Sequence, residues 1–209
     1  MSFEAPVTGG PYATVIDVGA FRGEFALSSL RAWHEAKVLS FEPLEPEPRK
    51  ATRAYARRWS WFKVALVAKE GGGQATMYRN EFIPSSSILP MAELHREAFP
   101  YTRKTEPVKV GTAALDEFLE LIEAPALLKI DVQGYELEVL KGATGVLALC
   151  DAVIAEVNHE ELYAGSPSPK AMSDFVEAAG FTWERTLDEL RHPARESMLL
   201  QSDELWVRA

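Results

Sequence analysis

The sequence predicts an α/β fold in which helices cover both faces of a doubly wound, mostly parallel sheet. Three observations carry that expectation. Short apolar runs alternate with helix-like stretches, the pattern of consecutive β–α units. An acid and a glycine turn follow the first apolar run directly and open the first helix. The 209 residues contain no repeat, linker or low-complexity segment, so one domain over 1–209 accounts for the whole chain.

Taken in order, residues 13–18 form the first strand, and a glycine turn leads into a helix over about 23–33. The second strand is 38–41, separated by Pro43 and Pro46 from a helix carrying Arg49, Arg53 and Arg57 on one stripe. Ala51, Ala54 and Tyr55 fall towards another side of that helix, where they can face the core. A third strand, 61–67, is followed by the turn Gly71-Gly72-Gly73 and by 74–78, which reads as its hairpin partner. Residues 80–107, with Pro84, Pro90, Pro100 and the serines Ser85, Ser86 and Ser87, read as irregular. Loops of that length inside a domain tend to be lids or binding loops. A helix at 115–122 precedes an apolar strand at 126–130, then a short helix ended by Gly142. Strand 152–157, loop 159–169 and helix 171–178 follow. The chain closes with 181–186 and two runs, 197–201 and 205–208, split by Ser202-Asp203-Glu204. These form an antiparallel ending foreign to an all-parallel dinucleotide-binding domain.

Composition narrows the function. A formal charge of −9 counts against a nucleic-acid partner, since phosphates repel an acidic chain. The basic cluster Arg49, Lys50, Arg53, Arg57 and Arg58 reads chiefly as a solvated helix face, with an acidic partner as the alternative. No apolar run is long enough to cross a bilayer, and residues 1–10 lack a basic-then-apolar leader pattern. The lone cysteine, Cys150, forms no internal disulfide, which suits a reducing, cytoplasmic setting.

The strongest local signal is VIDVGAFRG, residues 15–23. Asp17 sits at the end of an apolar strand, and Gly19 and Gly23 let the backbone turn sharply and approach a ligand. The free N–H groups at the start of the next helix suit a carboxylate, and Asp17 suits an amine. The zwitterionic end of a methionine-derived cofactor needs both, whereas a pyrophosphate would be repelled by the acid. A side chain at Gly19 is expected to fill space meant for the ligand. The alternative is a tight turn whose acid merely caps the helix. Glu42 ends the second strand, 25 positions after Asp17, where an acid accepts hydrogen bonds from ribose hydroxyls. Asp131 ends the apolar strand LLKI beside the crevice in which doubly wound sheets bind ligands; helix capping is its other reading. Glu136 stands between an active-site role and a first-turn helix acid. His159, at the end of the fifth strand, can take a proton near neutrality or hydrogen-bond a neighbouring loop.

The runs VIDVGAFRG, FEP (41–43), LDEF (115–118) and above all KIDVQGYELEVLKGA (129–143) resemble the FkbM-type methyltransferases. The resemblance extends from about residue 13 to the terminal ELWV at 204–207. It implies a class I, Rossmann-like methyltransferase domain with seven strands, the last antiparallel, and S-adenosylmethionine as cofactor. The acceptor is then usually a hydroxyl on a small molecule, sugar or glycolipid. The expected cofactor contacts are Asp17, Gly19, Ala20, Gly23, Phe41, Glu42, Pro43, Ser86 and Asp131. Ser86 belongs to a serine-bearing loop that relatives share and that also reads as a flexible polar loop. Val67 and Ala68 depart from the small or polar pair common at that point, which leaves the grip on adenine open.

An alcohol is a poor nucleophile unless its proton is being removed, so a base is needed near the sulfonium. Asp131 and His159 are the expected catalytic pair, with the loops 80–107 and 159–169 as acceptor walls. A metal-free mechanism is expected, although Asp131, Glu156 and Asn158 offer an oxygen set that magnesium could use. The rival readings are an NAD-dependent oxidoreductase and a non-enzymatic adenosine-nucleotide-binding module. The oligomeric state and the acceptor's identity are not written in the sequence.

Overall fold

The computed structural model describes residues 9–68 and 73–209. Most of the N-terminal stretch read for a leader, and Gly71 and Gly72 of the expected turn, lie outside those residues. Among the described residues ten strands and six α-helices run in the order β1 (Thr14–Val18), α1 (Glu24–Ala32), β2 (Lys37–Phe41), α2 (Arg49–Ala54), β3 (Trp59–Phe62), β4 (Ala65–Leu66), β5 (Gly73–Asn80), α3 (Glu93–Ala98), β6 (Thr105–Ala113), β7 (Ala126–Ile130), α4 (Glu136–Lys141), α5 (Thr144–Leu147), β8 (Cys150–Asn158), α6 (Pro169–Ala178), β9 (Phe181–His192) and β10 (Arg195–Arg208).

Seven strands form one sheet in the order β3-β2-β1-β7-β8-β10-β9. Pairing is parallel from β3 to β8, and β10 runs antiparallel to both β8 and β9. Every residue of β1 and β7 is buried, as expected of central strands covered on both faces. Alternate residues feed opposite cores. Val15, Val38 and Leu127 pack with Phe25, Ala26 and Leu30 of α1 on one face. Ile16, Leu39 and Leu128 pack with Val139, Leu140 and Met172 of α4 and α6 on the other. Strand order reverses between β1 and β7, so the crevice beyond their carboxyl ends is where a doubly wound sheet binds a ligand. Asp17 and Asp131 sit at that edge.

Several expected elements are corrected. The third strand is two: β3 joins the main sheet, while β4 joins a second sheet of order β4-β6-β5. Residues 74–78 do lie in a strand, β5, but its partner is β6 and not 61–67. β6 occupies the end of the stretch read as irregular. Pro107 hid it, yet Pro107 lies where β6 has β5 as its one neighbour, because β4 reaches only Thr112 and Ala113. Residues 115–121 are a 3₁₀ helix, and Asp116 within it accepts from the backbone N–H groups of Gly145 and Val146, capping α5. The two final runs are a single strand that passes through Ser202-Asp203-Glu204. Glu204 is buried there because Trp183 Nε1, Thr186 Oγ1 and Ser202 Oγ all donate to it, at 2.6–3.0 Å. On α2 it is Thr52 that turns inward, while Ala54 is exposed. Arg58 leaves the basic cluster to donate to the carbonyls of Leu30, Trp33 and Ala36, closing the end of α1. No helix among the described residues is long and apolar enough to cross a membrane.

Candidate active site

A cavity of about 500 Å³ opens at the carboxyl edge of β1, β2 and β7, within the usual range for small-molecule sites. The turn after β1 forms its floor. The N–H groups of Gly19 and Ala20 donate to the Phe41 carbonyl, at 3.0 and 3.1 Å, fastening that turn to the end of β2. Gly19 has φ 78°, and a Cβ there would overlap the backbone carbonyl oxygen of Asp131. The glycine therefore permits close approach of two chain segments and does not vacate ligand space, which corrects the expectation above. Gly23, at φ 79°, faces Trp59, 2.6 Å from where its Cβ would stand, and lies outside the cavity wall.

Asp17 is fully buried, and neither carboxylate oxygen has a hydrogen-bond partner among the described residues. Burial pushes its pKa up to about 6, against the pull of Lys129 at 3.9 Å and the neighbouring Ser40 hydroxyl. Glu42 is differently placed. Its Oε1 accepts from the N–H groups of Leu44 (2.6 Å) and Glu45 (3.1 Å), and its Oε2 from Phe21 (3.1 Å). Burial raises its pKa and those backbone bonds oppose the rise. Glu42 thus knots the loops after β1 and β2 together and still has lone pairs to offer. Ala20, Phe41 and Pro43 also line the cavity, as does Ser86, whose Oγ accepts from the Asn80 N–H.

Asp131 is about one-third exposed into the cavity. Lys129 donates to it at 3.3 Å and Gln133 Nε2 at 2.9 Å. The same Gln133 amide donates to Glu156 at 2.9 Å, and its oxygen accepts from Tyr163 at 2.7 Å. This network fixes Asp131 and Glu156 as neighbours. Burial first, and then the charges of Asp131 and Glu136, push the Glu156 carboxyl well above its ordinary range. Asp203 rises to about 7 by burial and by facing Asp131. Glu136 lies behind the wall, where it accepts from the N–H groups of Val132 and Gly134 and holds the turn after β7.

His159 does not reach the cavity. Its ring is exposed and its Nε2 pairs with Ser202 Oγ at 2.7 Å. Nor do residues 159–169 line the cavity; β9 and β10 line it instead, through Asp188, Leu190, Gln201 and Asp203. The stretch 80–107 contributes Phe82, Ser86, His95 and Tyr101. His95 was missed because its short helix carries no pattern in the sequence. Its ring is buried edge-on between Phe99 and Tyr163, and burial, then Arg96, lower its pKa to about 4. Asn158 accepts from Gln201 at 3.2 Å and does not line the cavity. Among the described residues no three of His, Cys, Asp and Glu are grouped to hold a metal ion.

The chain matches the methyltransferase FkbM domain over residues 17–182. It is 26% identical over 184 residues to the 2-O-methyltransferase NoeI of Sinorhizobium fredii (strain NBRC 101917 / NGR234), a match covering 79% of this chain and 72% of that protein. Among solved structures it is similar to the methyltransferase FkbM from Methylobacillus flagellatus KT, with TM-score 0.56 and 14% identity over 93% of this chain. The chain spans only 43% of that protein. It is also similar to the magnesium protoporphyrin IX methyltransferase of Synechocystis PCC 6803 with bound S-adenosylmethionine, with TM-score 0.50 and 14% identity, covering 95% of this chain and 71% of that one. Such identities speak to the fold, which is that of class I methyltransferases.

Proposed function

The chain belongs to the FkbM methyltransferase family, and from that premise we propose that it methylates a hydroxyl on an uncharged or cationic small molecule or carbohydrate. The cofactor is S-adenosylmethionine. The observation that carries its fit here is Asp17, a buried carboxylate that accepts no hydrogen bond among the described residues, in the wall of a cavity that Glu42 also lines. In this reading Asp17 receives the cofactor's ammonium and Glu42 its ribose hydroxyls. A dinucleotide's pyrophosphate would instead meet Asp17, Glu24 and Glu42, with Lys129 as the one cation among the described lining residues.

When bound, S-adenosylmethionine supplies an electrophilic methyl group on a sulfonium. The chain's own task is to align the acceptor, keep water out and take one proton. Asp131 is the group proposed to do so. Its carboxylate faces the cavity and is aimed by Lys129 and Gln133. An acceptor hydroxyl donating to Asp131 would have its oxygen lone pairs free for attack and would leave its proton on that carboxylate. Glu156 and Asp203 are both pushed towards their protonated forms, which leaves Asp131 less like-charge repulsion to withstand. His159 has no part in this route. The acceptor's charge follows from the wall: Asp131, Asp188 and Glu189 line it in addition to those two raised carboxyls, so a phosphorylated or carboxylated acceptor would be repelled.

The test uses methyl-labelled S-adenosylmethionine with a panel of neutral sugars, amino sugars, sugar phosphates and polyols. Label recovered in an ether linkage on neutral or amine-bearing members is the expected result. Label on nitrogen or carbon, or preferentially on phosphorylated members, would overturn the proposal.

A further inference from the structure

We infer that Lys129 is the cofactor's carboxylate clamp, forming with Asp17 a paired site for the α-amino-acid end of S-adenosylmethionine. This rests on the reading of the cavity as the cofactor site and adds a residue and a role to it.

The sequence pattern points instead to the start of α1 as the carboxylate's seat. The structure argues otherwise. Glu24 occupies the first turn of that helix and lines the same cavity, so its charge already answers the helix dipole and would repel a second carboxylate. Some other cation must meet the ligand's carboxylate, because eight acids line the cavity: Asp17, Glu24, Glu42, Asp131, Glu156, Asp188, Glu189 and Asp203. Lys129 is the one Lys or Arg among the described lining residues.

Its placement fits the task. The side chain is 8% exposed and lies in β7 directly opposite Asp17 in the β1–β7 register. Among the described residues its ammonium makes a single hydrogen bond, to Asp131 at 3.3 Å; it lies over the Phe25 ring at 5.9 Å and stands 3.9 Å from Asp17, beyond hydrogen-bond reach. An ammonium has three donors, so two are uncommitted. Burial works against its charge, but Asp131, Asp17 and Asp203 outweigh burial and keep it protonated. Asp17 and Lys129 therefore present an acceptor-only carboxylate and a donor-only ammonium side by side. An α-amino acid carries the complementary pair on one carbon. A ligand bridging them satisfies two groups that the protein alone leaves short of partners.

Calorimetric titration tests this with two ligands, S-adenosylhomocysteine and its decarboxylated analogue, which keeps the amine and ribose but lacks the carboxylate. The wild-type protein should prefer S-adenosylhomocysteine by about tenfold or more, the scale of one charged hydrogen bond. Lys129→Met should abolish that preference by weakening S-adenosylhomocysteine while leaving the analogue bound as tightly or more tightly, since a positive neighbour has gone. Lys129→Arg should keep part of the preference. A wild-type protein binding both ligands equally would overturn the inference without any variant, which covers the case in which Lys129→Met does not fold. A folded Lys129→Met that still prefers the carboxylate-bearing ligand would overturn it too, and assign the carboxylate to backbone N–H groups. A wild-type protein that binds neither ligand would sink the underlying cofactor reading, a distinct result.

Discussion

Replacing Glu42 with glutamine separates two roles that this side chain combines. The amide oxygen can keep accepting from Leu44 and Glu45, but the amide nitrogen would then point a donor at the Phe21 N–H, 3.1 Å from the present Oε2. One charge-assisted bond is lost and a poorly solvated N–H is left without its partner. Each such loss costs about 1–3 kcal/mol. For a chain of this size the unliganded protein should melt roughly 2–12 °C lower, taking about 2–4 °C per kcal/mol. Ligand affinity should fall independently, because the same nitrogen cannot accept from a ribose hydroxyl. Losing one hydrogen bond to a charged group, about 1.5–3 kcal/mol, weakens binding by about 10–150-fold. Differential scanning calorimetry measures the first effect, and titration with S-adenosylhomocysteine well below the melting range measures the second. A Glu42→Gln protein that melts lower yet binds within twofold of wild type would show that Glu42 only ties loops. One that binds weakly but melts unchanged would show that the bond to Phe21 carries no weight.

Four further outcomes are expected. Gly19→Ala should lose both stability and cofactor affinity, because its Cβ would overlap the Asp131 carbonyl at a left-handed φ; a normal melt with normal titration would contradict that contact. Asp17, raised to about 6 from 3.8, holds its proton longer folded than unfolded. It therefore costs the unliganded protein stability as pH climbs from about 4 to 6, while affinity for an ammonium-bearing ligand should rise over that window and level off above it. Titrations between pH 5 and 8 should show this rise in wild type and not in Asp17→Asn, and a flat wild-type profile refutes it. Asp131→Asn should lower turnover on an identified acceptor by about 10²–10⁴-fold, with S-adenosylhomocysteine affinity changed by only a few-fold; equal losses in both would make Asp131 a cofactor ligand alone. His159→Ala should leave turnover within about threefold, since His159 does not line the cavity and its ring is held by Ser202, and a loss comparable to that of Asp131→Asn would restore it as the base.

What could be read from sequence was whatever depends on local pattern. β1 and β7 are continuous apolar runs because both their faces are covered, and the acid ending each run marks the crevice. The VIDVGAFRG turn and Glu42 likewise announce themselves by spacing. Features decided by non-local contacts did not. Gly19 is required by the Asp131 carbonyl, 112 positions away in the chain, a contact that the local glycine pattern does not announce. β6 carries Pro107, and β10 carries Ser202, Asp203 and Glu204, residues that signal turns until a one-sided edge or partners such as Trp183 absorb them. His159 looked catalytic because it ends a strand at the correct edge, but β10 passes alongside and its Ser202 engages the ring. Lys129 opens the KIDVQGYELEVLKGA run, yet its role is not legible there, since a lysine within an apolar strand gains meaning only when its facing acids are known.

The most direct measurement of the central claim is a crystal structure of the complex with S-adenosylhomocysteine. The account predicts ribose hydroxyls on Glu42, the ammonium on Asp17, and the sulfur facing the side of the cavity walled by Asp131. Ligand bound elsewhere, or bound in this cavity with its ribose away from Glu42 and its ammonium away from Asp17, would contradict it.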